Sequence, residues 1–199
     1  MISDSLKPSL QCAEAAKKAN RVLGQMAKSI SFRDKYTFSR LYKVYVRPHL
    51  QYCSSAWSPY TAADKELLES VQRRAINMIS NLSGSYEQKL AALGLYTLEE
   101  SRERGDMIEM YKILTGKSKM EAALFFSPAP VRSGALNTRG NSGFLNVAEP
   151  AAAKTNIRRN FFSQRCPRIW NSLPNEVKQV DYVNGFKSAY DAYKGVQRI

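Results

Sequence analysis

The chain has 199 residues, enough to bury a core, and 44% of them are hydrophobic. Thirty Lys and Arg residues face seventeen Asp and Glu residues, which gives a formal net charge of +13. This charge favours nucleic acid as a partner over a membrane surface, and over a charge that only maintains solubility. The three cysteines are far apart and odd in number, and no secretory signal or membrane-spanning run is visible. We therefore expect an intracellular protein, cytoplasmic or nuclear.

Helical periodicity runs through the first two thirds of the chain. Residues 9–30 carry apolar side chains at helical spacing and predict a first helix. Residues 33–47 predict a second helix, which Pro48 should end because the residue before a proline avoids the helical region. A short helical stretch over 49–57 follows.

Capping signals mark the starts of two further helices. Thr61 with Asp64, and Thr97 with Glu100, have the spacing of a capping box. Apolar residues recur at helical spacing behind both caps, and Gly116 is a natural stop for the second helix. A short helix over 86–93 is predicted between them.

The character of the sequence changes after residue 126. Residues 127–156 are rich in proline and glycine and predict a linker or an irregular loop, with 143–147 as the one candidate strand. Helical pattern resumes over 157–170, where Pro167 should break or kink it. Residues 183–193 predict a final amphipathic helix.

These elements predict an all-α fold. The expected organisation is a helical body over 1–126, an irregular Gly/Pro-rich segment over 127–156 and a short C-terminal helical tail over 157–199. We expect the tail to pack back on the body.

Carboxylates that could hold a catalytic metal are scarce. No two aspartates are adjacent, so the carboxylate pair with which a polymerase holds two Mg²⁺ ions is missing. Glu99, Glu103 and Asp106 share a helix face, but Arg102 and Arg104 lie beside them. A solvated, salt-bridged face is therefore favoured over a metal site.

Other chemical motifs are incomplete. His49 and Cys53 have a spacing that can grip a metal, but zinc needs four ligands, so a packed structural pair is favoured. Gly116-Lys117-Ser118 resembles the end of a phosphate-binding loop, but the motif requires a glycine where this chain has Tyr111. The sequence predicts no catalytic residue, no metal site, no cofactor and no small-molecule substrate.

A basic stripe lies on the predicted second helix. Arg40, Lys43 and Arg47 are spaced to share one helix face, with Tyr36 one turn earlier. The stripe could neutralise phosphates while Tyr36 or Tyr42 stacks on a base. A solvated helix face remains an equal alternative.

A second basic cluster lies near the C-terminus. Its arginines interleave with aromatic residues, and no acidic residue falls between Lys154 and Arg168. Nucleic-acid contact is favoured for the arginines, whereas the aromatic residues are expected in the core. In the Gly-rich segment, Arg132 and Arg139 either contact phosphate or belong to a mobile linker. The arginines of the C-terminal cluster are Arg158, Arg159, Arg165 and Arg168, and its aromatic residues are Phe161, Phe162 and Trp170.

Long blocks of the chain resemble one family. They are similar, in order and in spacing, to the region after the polymerase palm in jockey-like and chicken-repeat-like non-LTR (LINE-type) retrotransposon reverse transcriptases. The blocks are LYKVYVRPHLQYCSSAWSPYT (41–61), ELLESVQRRA (66–75), TLEESRERGDMIEMYKILTG (97–116), NFFSQRCPRIWNSLPNEV (160–177) and VNGFKSAYD (183–191).

The resemblance implies that the N-terminal helices correspond to the thumb, which holds a primer–template duplex by its backbone. The later helices would correspond to the C-terminal region, which helps to hold element RNA or target DNA. On this analogy Arg40, Lys43, Arg47, Arg73 and Arg74 are candidate phosphate contacts. The family's catalytic residues lie in its endonuclease and its palm, and none has a counterpart in this chain.

The resemblance therefore implies a thumb-plus-tail fragment of an RNA-directed DNA polymerase that binds nucleic-acid backbone and performs no catalysis alone. Met1 falls where the family's polyprotein continues from its palm, so an internal-start fragment or a domesticated remnant is expected. The alternatives are a protein-interaction fragment that docks on a separate reverse-transcriptase core, and a translated relic without function.

Overall fold

The computed structural model describes residues 8–129 and 146–195. Helices dominate both ranges, which confirms the predicted all-α fold. Within these ranges the one β-type pairing is an isolated antiparallel bridge between Pro128 and Val147. Val147 belongs to the predicted strand 143–147, whose first three residues lie outside the described ranges. None of the helices that can be described is both long enough and apolar enough to cross a membrane.

The chain forms two compact units, the first ending at Arg102 and the second beginning at Glu103. These units are divided at a different position from the segments 1–126, 127–156 and 157–199 predicted from the sequence. That segmentation followed composition, whereas the compact units follow packing.

The first unit is built from helices that pack around one apolar core. Helix α1 packs against α4 and α3, and its core side includes Cys12, Ala19 and Leu23. The small alanine side chains on this face let the neighbouring helices approach closely. The helices are α1 (Ser9–Ser29), α2 (Lys35–Leu41), a π-helical turn (Tyr42–Val46), α3 (Arg47–Gln51), α4 (Ala62–Asn77), α5 (Tyr86–Ala92) and α6 (Leu98–Leu114), the last of which continues into the second unit.

The π-helical turn explains how the continuous helical rod formed by α2, the π turn and α3 keeps one face buried. Phe38, Tyr42, Val46 and Leu50 are all at most 2% exposed, and they recur every four residues. At about 100° per residue, a regular α-helix would rotate Leu50 roughly 120° away from Phe38. A π turn accommodates one extra residue, so the four side chains stay on one face.

The same turn carries the helix past Pro48, so the prediction that the helix ends there was wrong. A proline has no N–H to donate, and its ring clashes with the carbonyl four residues earlier in an α-helix. Here the Arg47 N–H already bonds the Tyr42 carbonyl, five residues back, and Pro48 occupies the first turn of α3. The helix ends at Gln51, so the predicted stretch 49–57 is helical only at its start.

The predicted caps of α4 and α6 are confirmed. The Thr61 hydroxyl accepts from the Asp64 N–H at 3.2 Å. At α6 the box is reciprocal, because Thr97 Oγ1 accepts from the Glu100 N–H and the Glu100 carboxylate accepts from the Thr97 N–H. Gly116 follows α6 with φ +67°, a left-handed conformation that glycine adopts without strain.

The second unit places the C-terminal helices around the remainder of α6. Tyr111 stacks on Phe186 with ring centroids 4.4 Å apart, and Trp170 stacks on Phe186 at 5.9 Å. The tail residues Trp170 and Phe186 thus share one core with Met107 and Met110 of α6. The further elements are a 3-10 turn (Ala122–Leu124), α7 (Asn156–Arg159), α8 (Phe162–Ser172), α9 (Asn175–Lys178) and α10 (Val183–Tyr193).

The predicted helix over 157–170 is divided, but not at its proline. The break falls at Asn160 and Phe161, where the Phe161 backbone is extended. Pro167 lies inside α8, which runs on to Ser172, so of the predicted break or kink the break does not occur. The break at Phe161 lets Phe162 enter the core while Phe161 remains 47% exposed.

Candidate nucleic-acid interface

Tyr36 and Arg40, at the start of the predicted basic stripe, face solvent. The Asp34 carboxylate caps α2 by accepting from the Tyr36 and Thr37 N–H groups, both at 2.9 Å. These bonds lower the pKa of Asp34 and fix the start of the helix. The Tyr36 side chain is 77% exposed. Arg40, one turn later, is exposed, and its side chain makes no hydrogen bond or ion pair with a described residue.

The structure does not bring Lys43 and Arg47 into line with Arg40. Lys43 Nζ donates to the Leu93 carbonyl at 3.0 Å, and Arg47 Nη2 donates to Ser101 Oγ at 3.0 Å. Both side chains therefore bind the α5–α6 region of the first unit. The extra residue in the π turn rotates Arg47 roughly 100° from the position expected in a regular α-helix. The continuous stripe predicted from the sequence is thus wrong.

The neighbouring arginines of α4 have different surroundings. Arg73 forms a fork with Glu66, at 2.6 Å and 3.3 Å, and its guanidinium lies 5.2 Å from the centre of the Tyr86 ring. The hydrogen bond to Glu66 raises the pKa of Arg73 and lowers that of Glu66. Arg74 is exposed and has no such partner among the described residues. Arg74 is therefore the more available phosphate contact of the two.

In the second unit, hydrogen bonds to Asp106 and Asn160 hold the Arg165 side chain. Its Nε and Nη2 atoms donate to the two carboxylate oxygens of Asp106 at 2.8 Å and 2.9 Å, and its Nη1 atom donates to the Asn160 carbonyl at 2.7 Å. The side chain of Arg165 is 17% exposed. This geometry gives Arg165 a structural role and leaves little of its guanidinium for a phosphate.

The other arginines of the C-terminal cluster are exposed. The Arg158 guanidinium lies over the half-exposed ring of Phe161, 5.7 Å from its centre. Arg159 and Arg168 line one open cleft together with Gln164. Phe162 and Trp170 are buried, as predicted, but the prediction that Phe161 also belongs to the core was wrong, because Phe161 precedes α8 and is 47% exposed. Arg132 and Arg139 lie outside the described residues.

Helix α1 carries a cationic face to which the sequence reading assigned no role. Its exposed residues alternate with its buried alanines at helical spacing. The charge pattern alone identifies this face, because cations three, four and seven residues apart share one side of a helix. Its exposed cations are Lys17, Lys18, Arg21 and Lys28.

The carboxylates considered for a metal are each occupied by a cation. Glu99 pairs with Lys65 at 2.5 Å, Glu103 pairs with Lys194 at 2.7 Å, and Asp106 pairs with Arg165. A salt-bridged face is therefore confirmed, although Asp106 is buried and not solvated.

His49 and Cys53 are both exposed, so their interpretation as a packed structural pair was wrong. The turn after Gln51 explains this, because Cys53 adopts a positive φ of 56° instead of continuing the helix. In the part of the chain that the structure describes, no three His, Cys, Asp or Glu side chains are grouped closely enough to hold a metal ion.

The surface of this chain therefore offers exposed cations on α1, α2, α4, α7 and α8 rather than one continuous stripe. Comparisons of the chain with protein-family models, curated proteins and solved structures find no match.

Proposed function

We propose that this chain is the thumb-plus-tail part of a retrotransposon RNA-directed DNA polymerase and that it binds nucleic-acid backbone without sequence specificity. The observation that carries the proposal is a set of exposed arginines without an intramolecular counter-ion among the described residues, namely Arg40, Arg74, Arg159 and Arg168. Unpaired cations on a protein of net charge +13 retain their full attraction for phosphate.

The nature of the contacts supports backbone binding over base reading. Phosphate contacts from Arg and Lys position a protein on nucleic acid but carry no sequence information. The exposed arginines are distributed over separate helices, and this suits phosphates along a strand better than one base pair. A nucleic-acid partner also implies an intracellular site of action, in the cytoplasm or the nucleus.

Fluorescence anisotropy with labelled nucleic acid across a salt series tests the proposal. The ligands are an RNA–DNA hybrid, a DNA duplex and single-stranded RNA of equal length. We expect binding to weaken with salt with a log–log slope that corresponds to roughly four or more phosphates. Replacing Arg40 and Arg74 by alanine together should weaken hybrid and duplex binding and reduce that slope. Negligible binding of all three ligands at low salt would overturn the proposal.

A second function is favoured by a different observation. Several large apolar side chains around α2, the π turn and the preceding loop are exposed, and exposed apolar area of this kind favours protein binding. These side chains suit docking on a separately encoded reverse-transcriptase core. The residues are Phe32 at 71%, Tyr36 at 77%, Val44 at 63% and Tyr45 at 55% exposure.

Size-exclusion chromatography with such a core protein tests this second function. A complex that survives high salt and is lost in Val44→Asp would support apolar docking. A complex that dissociates at high salt and still forms with the Val44→Asp variant would indicate that a nucleic acid bridges the two proteins.

A further inference from the structure

The second unit contains a cleft that combines cations with a small apolar wall. It has a volume of about 190 Å³. Its lining residues are Glu149, Pro150, Ala151, Ala152, Ala153, Arg159, Gln164 and Arg168. We propose that this cleft holds one nucleotide of a single-stranded nucleic acid, with Arg159 and Arg168 on its phosphate. This inference rests on the proposed function and specifies its ligand in the second unit.

Residues 149–153 form the wall of the cleft, and they lie between two hydrogen-bonded residues, Val147 and Thr155. At one end the Asn171 side chain accepts from the Val147 N–H at 3.1 Å and donates to the Val147 carbonyl at 2.9 Å. The Val147 side chain is 1% exposed, so this end is anchored in the core. At the other end Thr155 Oγ1 accepts from the Arg158 N–H and begins α7. The wall is therefore tied to α8 through Val147, and Thr155 fixes the point at which α7 begins.

Both cations of the cleft are available to a ligand. Arg159 and Arg168 are exposed, and neither side chain makes a hydrogen bond or ion pair with a described residue. Their guanidinium groups match the geometry of phosphate oxygens. By contrast, Arg165, which lies on α8 together with Arg168, is bound to Asp106. Of the arginines on α8, Arg168 is thus the one left for a ligand.

The charge balance of the cleft favours a phosphodiester. Two arginines and the Glu149 carboxylate give a formal charge of +1, which complements the single negative charge of one phosphodiester group. A terminal di- or triphosphate would bring more negative charge close to Glu149. The carboxylate instead suits a hydroxyl or an amino donor, and the Gln164 amide can both donate and accept.

The volume of the cleft favours part of a polymer over a whole small molecule. Pockets that enclose a small ligand typically measure about 300–1,000 Å³, and this cleft is smaller. Its alanines and Pro150 offer an apolar surface to a sugar or a base. A base is free to lie against such a wall only when it is unpaired, and this favours single strands over duplex.

Anisotropy titrations with a labelled 12-nucleotide oligouridylate and a 12-base-pair RNA duplex test the proposal. Arg159→Ala/Arg168→Ala should weaken binding of the single strand by about tenfold or more, and binding of the duplex by much less. Arg158→Ala is the matched control, because Arg158 is exposed on the same short helix but does not line the cleft. It should change both affinities equally and slightly.

Ala152→Leu separates shape from charge, because it narrows the cleft and keeps both arginines. We expect it to weaken binding of the oligouridylate and to leave duplex binding unchanged. Since these residues are at the surface, circular dichroism should report an unchanged fold for every variant. An equal loss for single strand and duplex in the double variant, or no effect of Ala152→Leu, would overturn the cleft proposal while leaving backbone binding intact. Absence of binding in the unmodified protein would instead remove the proposed function.

Discussion

Arg165 and Asp106 form a two-pronged ion pair that joins α8 to α6 within the second unit. The partners are 59 residues apart in the sequence, and the Asp106 side chain is only 7% exposed. Removing the guanidinium leaves a buried carboxylate without its main counter-charge. We expect Arg165→Ala to lower the free energy of unfolding by about 3 kcal/mol. Urea denaturation followed by circular dichroism measures this change.

The matched control for that experiment is Arg168→Ala. Arg168 is an exposed arginine one turn along the same helix. Its loss should change the unfolding free energy by less than about 0.5 kcal/mol. Equal denaturation midpoints for the two variants would contradict a structural role of Arg165.

The reciprocal cap of α6 predicts a smaller effect at Thr97. Its hydroxyl accepts from the Glu100 N–H at 3.2 Å, and alanine leaves that donor without its partner. We expect Thr97→Ala to destabilise the protein by about 1 kcal/mol. The urea midpoint reports the change, with the exposed Lys119→Ala as control. An unchanged midpoint would mean that water replaces the cap without loss.

The buried thiol of Cys12 predicts a loss of stability at alkaline pH. Burial, with a smaller contribution from Asp64, raises the pKa of Cys12 from 9.0 to about 11. The folded protein therefore holds this proton more tightly than the unfolded chain. The resulting contribution to the free energy of unfolding, at most about 3 kcal/mol, is fully present below pH 9 and is lost as the pH rises to about 11.

Urea midpoints at a series of pH values under reducing conditions measure this loss. Burial also raises the pKa of the Cys166 thiol, so the unmodified protein should lose stability steeply in this range. Cys12→Ala should flatten the decline, whereas Cys53→Ala, at an exposed thiol, should not. Identical pH profiles for the two variants would rule out the contribution of Cys12.

The neighbouring arginines of α4 form a built-in comparison for backbone binding. Arg74 is exposed without a partner, whereas Arg73 is held by Glu66 at 2.6 Å. If the first unit contacts a duplex, Arg74→Ala should reduce the log–log salt slope by roughly one. Arg73→Ala should reduce it less, because the Glu66 carboxylate already offsets its charge. A larger effect at Arg73 would show that nucleic acid displaces Glu66.

Local signals in the sequence predicted much of the fold. The capping boxes at Thr61 and Thr97 place the starts of α4 and α6 correctly, because a cap depends on residues only three positions apart. The rule for proline failed at Pro48 because a π turn depends on which side chains the core requires, and a local rule contains no information about the core.

The candidate site was less predictable for a related reason. Whether an arginine is free depends on its partner, and the partner of Arg165 lies on another helix. The fork between Arg73 and Glu66 lies within one helix and could have been anticipated, although its spacing of seven residues is longer than the usual pairing distance. The cleft beside α8 depends on how residues 147–155 are anchored, and composition indicated only an irregular loop.

The π turn at 42–46 also bears on how this protein can change in length. In a regular helix, deletion of one residue turns every following side chain by about 100° and moves apolar groups out of the core. Here the rod holds one residue more than an α-helix would need between Phe38 and Leu50. Loss of the exposed Val44 would convert the π turn to an α turn and keep Phe38 and Leu50 on one buried face, but it would also place the Pro48 ring against the carbonyl four residues earlier. A single-residue deletion at this site should therefore occur in related sequences together with replacement of Pro48, whereas the uninterrupted helix α4 should retain a constant length.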